Sequence, residues 1–272
     1  MSLRRILKDR KKRWYFDRAD VHLLSFPKSG RTWVRLMIGS VMARHFGVTV
    51  RNPIQLHKLA SQRRGIPCIL STHDCRSSPD ANGKLQLERD KSHFAGKRVL
   101  LLVRDPRDVT ISNYYGRKYR ARKVDDSLSE FLRHPVWGVE AVLNYYNIWA
   151  QNREVPADLL VIRYEDLRSQ PVAEFQRVLD FVGMGNVEGD LIRAVVDEFE
   201  FGKVQKRERE GEYREGTFSS TKAEDGRTYK ARSGKIAGYL DELEGRDLEY
   251  VNELVDTRLD DFFADYKTPR LP

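Results

Sequence analysis

Five consecutive apolar residues, Val99–Val103, run straight into a charged cluster, Arg104-Asp105-Pro106-Arg107-Asp108. A strand with one wet face alternates apolar and polar residues. A run without alternation needs cover on both faces, which is the pattern of a strand inside a parallel sheet. Three further short runs, Val21–Phe26, Cys68–Thr72 and Leu159–Ile162, read as its companions, the fourth strand of the set being Arg98–Val103 itself. Between them lie segments of helical spacing. Thr32–Phe46 carries Trp33, Leu36, Met37, Val41 and Phe46 on that period, Trp137–Asn152 is another, and Pro171–Gly183 has proline near its start and glycine at its end. A last helix is expected over roughly Asp247–Phe263. Strands alternating with helices predict an α/β fold: a single domain with a central, mostly parallel sheet flanked by helices. The length of 272 residues fits one such domain, and 40% hydrophobic residues supply its core.

The remaining bulk properties narrow the function classes. A net charge of +9 favours anionic partners without choosing among nucleotides, nucleic acids, glycans and membranes. Cys68 and Cys75 are too few for a disulfide scaffold and lack zinc-site spacing. No segment approaches the ~18 consecutive apolar residues of a membrane helix. The basic N-terminal segment, residues 1–20, has no apolar stretch of the signal-peptide kind, so a cytoplasmic protein is expected.

Ligands of open α/β sheets bind beyond the carboxyl ends of the strands. The first strand ends in Ser25-Phe26-Pro27-Lys28-Ser29-Gly30-Arg31-Thr32-Trp33 and passes at once into a helix. A tight glycine-containing turn before a helix N-terminus gathers free N–H groups and the positive end of the helix dipole, which makes an anion site. It is P-loop-like, but the lysine precedes the only glycine, so it is not the G-x-x-x-x-G-K-[ST] loop of nucleotide kinases. The third strand ends in arginine rather than the acid that would hold magnesium. Arg104 can grip a phosphate with its planar fork, and Ser112 lies about two helical turns further on. The second strand ends in His73, and an imidazole of pKa about 6.5 suits removal of a proton from an alcohol.

These segments resemble the sulfotransferase family that uses 3′-phosphoadenosine-5′-phosphosulfate (PAPS), in which a P-K-[SA]-G-[TN]-T-W loop grips the 5′-phosphosulfate. Pro27, Lys28, Ser29, Gly30, Thr32 and Trp33 match it; Arg31 departs from the usual small polar residue and its role is open. Arg104 and Ser112 fall on the pair that binds the 3′-phosphate. Thr72 and His73 match a K-T-H segment holding the catalytic base, with Ser71 in place of a lysine that in the family contacts the sulfuryl group. Arg163-Tyr164-Glu165-Asp166 is similar to a Y-E-D segment near adenine, and Phe201 loosely matches an aromatic that sandwiches adenine with the loop tryptophan. Arg232, Ser233 and Gly234 match a segment wrapping the 3′-phosphate.

The resemblance implies an enzyme moving a sulfuryl group from PAPS to a hydroxyl of a small molecule or glycan. His73 would be the base and Lys28 would stabilise the leaving 3′-phosphoadenosine-5′-phosphate (PAP), with no metal. Two alternatives differ in class. A kinase-like phosphotransferase of the P-loop type shares the fold but needs another loop and strand end. A non-catalytic nucleic-acid-binding protein would use the basic N-terminus. The stretch containing Arg117, Lys118, Arg120, Arg122 and Lys123 reads either as one wall of an acceptor groove or as a solvated helix face. Lys203–Lys230, charged and glycine-containing, reads as a long mobile loop acting as a lid. The K-x-x-x-T-V-x-x-x-E dimer segment of the animal cytosolic enzymes is not visible, which leaves the oligomeric state open.

Overall fold

The computed structural model describes residues 13–49, 52–79, 85–212 and 226–267. Its main elements, in chain order, are β1 (Val21–Ser25), α1 (Arg31–Phe46), β2 (Ile69–Thr72), β3 (Arg98–Val103), α2 (Pro106–Tyr115), α3 (Val139–Gln151), β4 (Asp158–Arg163), α4 (Pro171–Phe181), α5 (Gly189–Glu198), α6 (Phe201–Arg209) and α7 (Gly245–Arg258). The strands form one parallel sheet in the order β2-β1-β3-β4, and Leu23 of β1 lies between Ser71 of β2 and Leu100 of β3. A small antiparallel ribbon, Arg76–Pro79 with Leu85–Gln86, stands apart from this sheet.

The uninterrupted apolar run in β3 has a direct cause. Leu100 and Leu102 join Val21, Leu23, Ile69 and Ile162 in a core packed against α1, α4 and α5. Val99, Leu101 and Val103 join Leu24 and Phe26 in a second core against α2, α3 and α7. Successive residues of a strand point to opposite faces, so a strand covered twice must be apolar at every position.

The expected strands and helices are present with ends shifted by a residue or two. Two expectations need correction. The last helix stops at Arg258, Leu259 is extended, and Asp261–Tyr266 is a separate 3₁₀ segment. The stretch from Lys203 is not a loop at its start: Lys203–Arg209 belongs to α6, capped by the Glu200 carboxylate, which accepts from the N–H groups of Gly202 and Lys203. Residues 213–225 of that stretch, and 1–12 of the basic N-terminal segment, lie outside the described residues. Among the described residues no helix is long and apolar enough to cross a membrane.

His22 of β1 is enclosed by the rings of Phe16 and Phe94. Burial, helped by the Lys97 cation, pushes its pKa down to about 4. The unfolded chain therefore takes up this proton first. The stability contributed by the neutral ring is complete above about pH 6.5 and is lost as pH falls through 4. Urea denaturation at pH 7 and pH 4.5 should give a wild-type loss larger by about 1–3 kcal/mol than that of His22→Leu. Equal losses would assign the acid sensitivity elsewhere.

Candidate active site

The chain leaves β1 through α1 to reach β2 on one side, while β3 lies on the other side of β1. The sheet thus has its switch point between the carboxyl ends of β1 and β3, where a crevice opens. The turn after β1 holds Lys28 at φ +77° and Gly30 at φ +94°. At Gly30 the need for glycine is double, because a Cβ there would sit 2.6 Å from the Tyr164 ring. Trp33 in the first turn of α1 is fixed by its indole N–H, which donates to the Phe199 carbonyl at 2.6 Å.

Beyond β3, the hydroxyl of Tyr146 clamps the backbone of Arg104. It accepts from the Arg104 N–H at 2.9 Å and donates to the Arg104 carbonyl at 2.7 Å. The next residue, Asp105, donates its N–H to the buried Glu165 carboxylate at 2.9 Å and caps α2 through its side chain. With its backbone held, the Arg104 guanidinium lies over the Tyr164 ring at 4.5 Å and donates to Asp108 at 3.3 Å and the Lys235 carbonyl at 3.0 Å. Its Nε is buried and has no partner. Arg107 points the other way, fully buried, donating to Asn252, Asp105 and the Tyr266 carbonyl.

The far end of the chain closes the crevice. Glu208 of α6 is buried, and its carboxylate accepts from the N–H groups of Lys230 and Ala231, both at 2.8 Å. That bond carries Lys230, Arg232, Ser233 and Gly234 into the site. Gly234 lies against the Phe201 ring, which a Cβ would meet at 2.4 Å, and its carbonyl accepts from the Tyr164 hydroxyl at 3.3 Å. Arg232 pairs with Glu242 at 2.8 Å and lies over the Tyr115 ring.

A cavity of about 480 Å³ results, and it gathers Pro27, Lys28, Gly30, Arg31, Thr32, Trp33, His73, Arg104, Ser112, Tyr164, Phe201, Arg232, Ser233 and Gly234. Of the expected site residues Ser29 alone does not line it. Its side chain is fully buried beneath the turn, so it belongs to the packing of the loop rather than to the cavity wall. Trp33 and Phe201 line the cavity without stacking on each other, and the Arg168 guanidinium lies 6.0 Å and 5.1 Å from their respective ring centres.

Several residues of this site escaped the sequence reading. Arg120 and Lys230 line the cavity, as do Asp108 and Val204. Gly116 begins a π-helical turn and leaves room for Lys28, whose Nζ a Cβ at 116 would meet at 2.1 Å. The basic stretch was a signal for Arg120, the one of its five basic residues that lines this cavity. Arg117 lies over the Trp137 ring and donates to Asn113, and Lys118 donates to the Asp126 carbonyl.

A second cavity, of about 1280 Å³, shares Arg31 and His73 with the first. None of the five basic residues from Arg117 to Lys123 lines it. Its walls mix apolar groups such as Phe16, Leu70, Leu85, Phe94 and Ile148 with the acids Asp17, Asp74, Glu88 and Glu140 and the arginines at 13 and 89. His73 stands at the junction. Its Nδ1 lies 3.0 Å from the Ser25 carbonyl. A carbonyl can only accept, so Nδ1 carries the proton and Nε2 keeps its lone pair. The turn after it is held by Asp74 at φ +50°, paired with the buried Lys91 at 2.8 Å.

The field of the site is strongly positive. Burial, then Arg120 and Arg117, pushes Lys28 down to about 8. Burial, then Lys28 and Arg120, pushes Lys230 down to about 6. Burial, then Arg31, pushes His73 down to about 3. Burial comes first in each shift and a neighbouring cation second, and the Arg104 Nε is a buried donor without a partner beside them. Among the described residues no cluster of three or more acids, histidines or cysteines could hold a metal ion.

The sulfotransferase domain family model matches residues 18–263. Cytosolic sulfotransferase 12 of Arabidopsis thaliana is 26% identical over 275 residues, covering 91% of this chain and 79% of the relative. Flavonol 3-sulfotransferase of Flaveria bidentis is 23% identical, covering 88% and 81%. Among solved structures, mouse sulfotransferase SULT7A1 complexed with PAP superposes with a TM-score of 0.61 at 15% identity, covering 92% of this chain and 88% of that one. Retinol dehydratase in complex with androsterone and inactive cofactor PAP gives a TM-score of 0.60 at 16% identity, covering 89% and 81%. The chain belongs to the sulfotransferase domain family. It is an enzyme, a PAPS-dependent sulfotransferase, and the kinase-like and nucleic-acid-binding alternatives fall away.

Gly30→Ala should weaken the fold by about 1–3 kcal/mol, since it forces a side chain into a left-handed conformation and against the Tyr164 ring. Thermal denaturation checks this, and an unchanged midpoint would mean that the ring yields freely.

Proposed function

We propose that the donor lies in the first cavity, the acceptor hydroxyl in the second, and that His73 is the general base between them. The observation that carries this reading is the position of His73, common to both cavities with its Nδ1 proton held by Ser25 and its Nε2 free. PAPS supplies an activated sulfuryl group on its 5′-phosphate. Lys28 would neutralise the charge that builds on the bridging oxygen as that bond breaks, helped by Thr32 and the N–H groups at the start of α1. Arg104, Ser112, Arg232, Ser233 and Gly234 would hold the 3′-phosphate, and Trp33, Tyr164 and Phe201 the adenine side. The residues fit the donor: an orphaned Nε on Arg104, a surplus of cations, and glycines at 30 and 234 where side chains would fill the cradle. The donor's own charge would offset Arg31 and Lys230, the cations that hold His73 so low, and so make it a better base when it is needed.

Mixed charges over apolar walls support a small amphipathic alcohol or phenol as the acceptor, in preference to an anionic glycan. The names of the cytosolic relatives support a cytoplasmic enzyme.

Arg104→Ala should weaken PAPS binding by about 2–5 kcal/mol, the range for truncating one partner of a buried charge pair. Adenosine 5′-phosphosulfate, which lacks the 3′-phosphate, should lose much less. Titration calorimetry with both nucleotides separates the two, and equal losses would deny Arg104 the 3′-phosphate.

His73→Ala should lower turnover by about 10²–10⁴-fold with donor affinity nearly intact. Steady-state rates and PAP titration read the two quantities separately. Near-normal rates on an alkyl alcohol would remove His73 from the chemistry, and wholesale loss of PAP binding would make it a structural residue of the sheet edge.

A further inference from the structure

We infer that Arg31 grips the sulfuryl group itself, as the cation at the passage between donor and acceptor cavities. This rests on the assignment of the two cavities given above. Arg31 and His73 are the residues that line both, so whatever crosses from one cavity to the other passes these two side chains. One is placed to take the acceptor proton. The other carries a charge that no carboxylate pairs with among the described residues.

The lack of a counterpart is the strongest observation. The Nη1 of Arg31 is buried and makes no hydrogen bond, and among the described residues no carboxylate pairs with its guanidinium. Three arginines nearby have protein partners. Arg35, one turn further along α1, donates to the Ile54 carbonyl, Arg104 has Asp108 and Arg232 has Glu242. Burial, then Arg35, pushes Arg31 down to about 10. The side chain is half-buried, and its shielded Nη1 leaves one donor direction unfilled that an anion entering the passage would fill.

The chemistry of that anion follows from the reaction. In transit the bond from sulfur to the bridging oxygen of the 5′-phosphate breaks and its electron pair stays with that phosphate. The bond from the acceptor oxygen to sulfur forms, and the acceptor proton goes to His73 Nε2. The three remaining sulfuryl oxygens carry negative charge throughout, and a planar guanidinium can bond two of them at once. Strand register explains how position 31 comes to serve. β1 and β2 are parallel neighbours with Leu23 beside Ser71 and Leu24 beside Thr72, so their carboxyl ends open onto one edge. Ser71 brings no charge to that edge and lines the second cavity alone. Arg31 brings it from the turn after β1.

The test compares PAP with PAPS, which differ by the sulfuryl group. Titration calorimetry would be run without acceptor on wild type, Arg31→Met, Arg31→Lys and the double variant Arg31→Ser with Ser71→Lys. Arg31→Met should lose about 10- to 100-fold in affinity for PAPS, the range of a hydrogen bond to a charged group, and less than about threefold for PAP. Arg31→Lys and the double variant should each regain part of the PAPS affinity. The melting temperature of ligand-free Arg31→Met should be unchanged or higher, since a shielded donor without a partner is removed. Equal losses for PAP and PAPS would place Arg31 on the 5′-phosphate and overturn the inference, as would no loss for either. A fall in the ligand-free melting temperature with both affinities lowered would make Arg31 structural. Wild-type protein that binds neither nucleotide would instead overturn the donor assignment, and this inference with it.

Discussion

Everything around the carboxyl edge of this sheet answers to one constraint: half-buried positive charges are crowded together at the ends of the strands. Lys28, Arg31, Lys230 and His73 all have their pKa values lowered, in each case by burial first and by a neighbouring cation second. Such a cluster opposes folding. It persists because two apolar cores, one on each face of the sheet, hold the strand ends side by side regardless of what the strand ends carry.

The acids present work mainly as fasteners. Glu165 takes the Asp105 N–H and the Tyr266 hydroxyl. Asp108 takes the Tyr239 N–H, and Glu208 takes two N–H groups from the segment after 229. Each fixes backbone near a cation, and Asp108 pairs with Arg104 as well. A carboxylate already committed to backbone donors leaves the positive field available to an incoming anion, with the positions of the charges settled in advance.

Much of this was legible in the sequence because it depends on local pattern. A doubly covered strand must be apolar throughout, so β3 was visible, and the arginine after it inherited a place on the ligand side of the sheet. The turn from Pro27 to Trp33 carried its own evidence in one glycine and one lysine before a helix. What was not legible depends on contacts between distant segments. Nothing near Gly116 says that Lys28 must pass over it. Lys203–Arg209 is so polar that it reads as loop, yet it forms a helix because Val204 and Glu208 on one side are buried against the site. Ser29 sits inside a recognisable motif, but its side chain turns into the packing. Arg120 was noticed only as part of a basic run, since charge alone does not say which way a helix faces.

The link from Glu208 to Lys230 and Ala231 also bears on how the protein is made. The phosphate loop, the arginine after β3 and the histidine after β2 all precede residue 110, whereas the segment that closes the cavity is tied down by residues 208, 230 and 231. During synthesis from the N-terminus, the sheet and its first helices emerge well before that closure is available. The strand ends that meet at the crevice are therefore made before the segment that covers them. The crowded cations thus stay open to water until residues 230 and 231 are made and tied to Glu208.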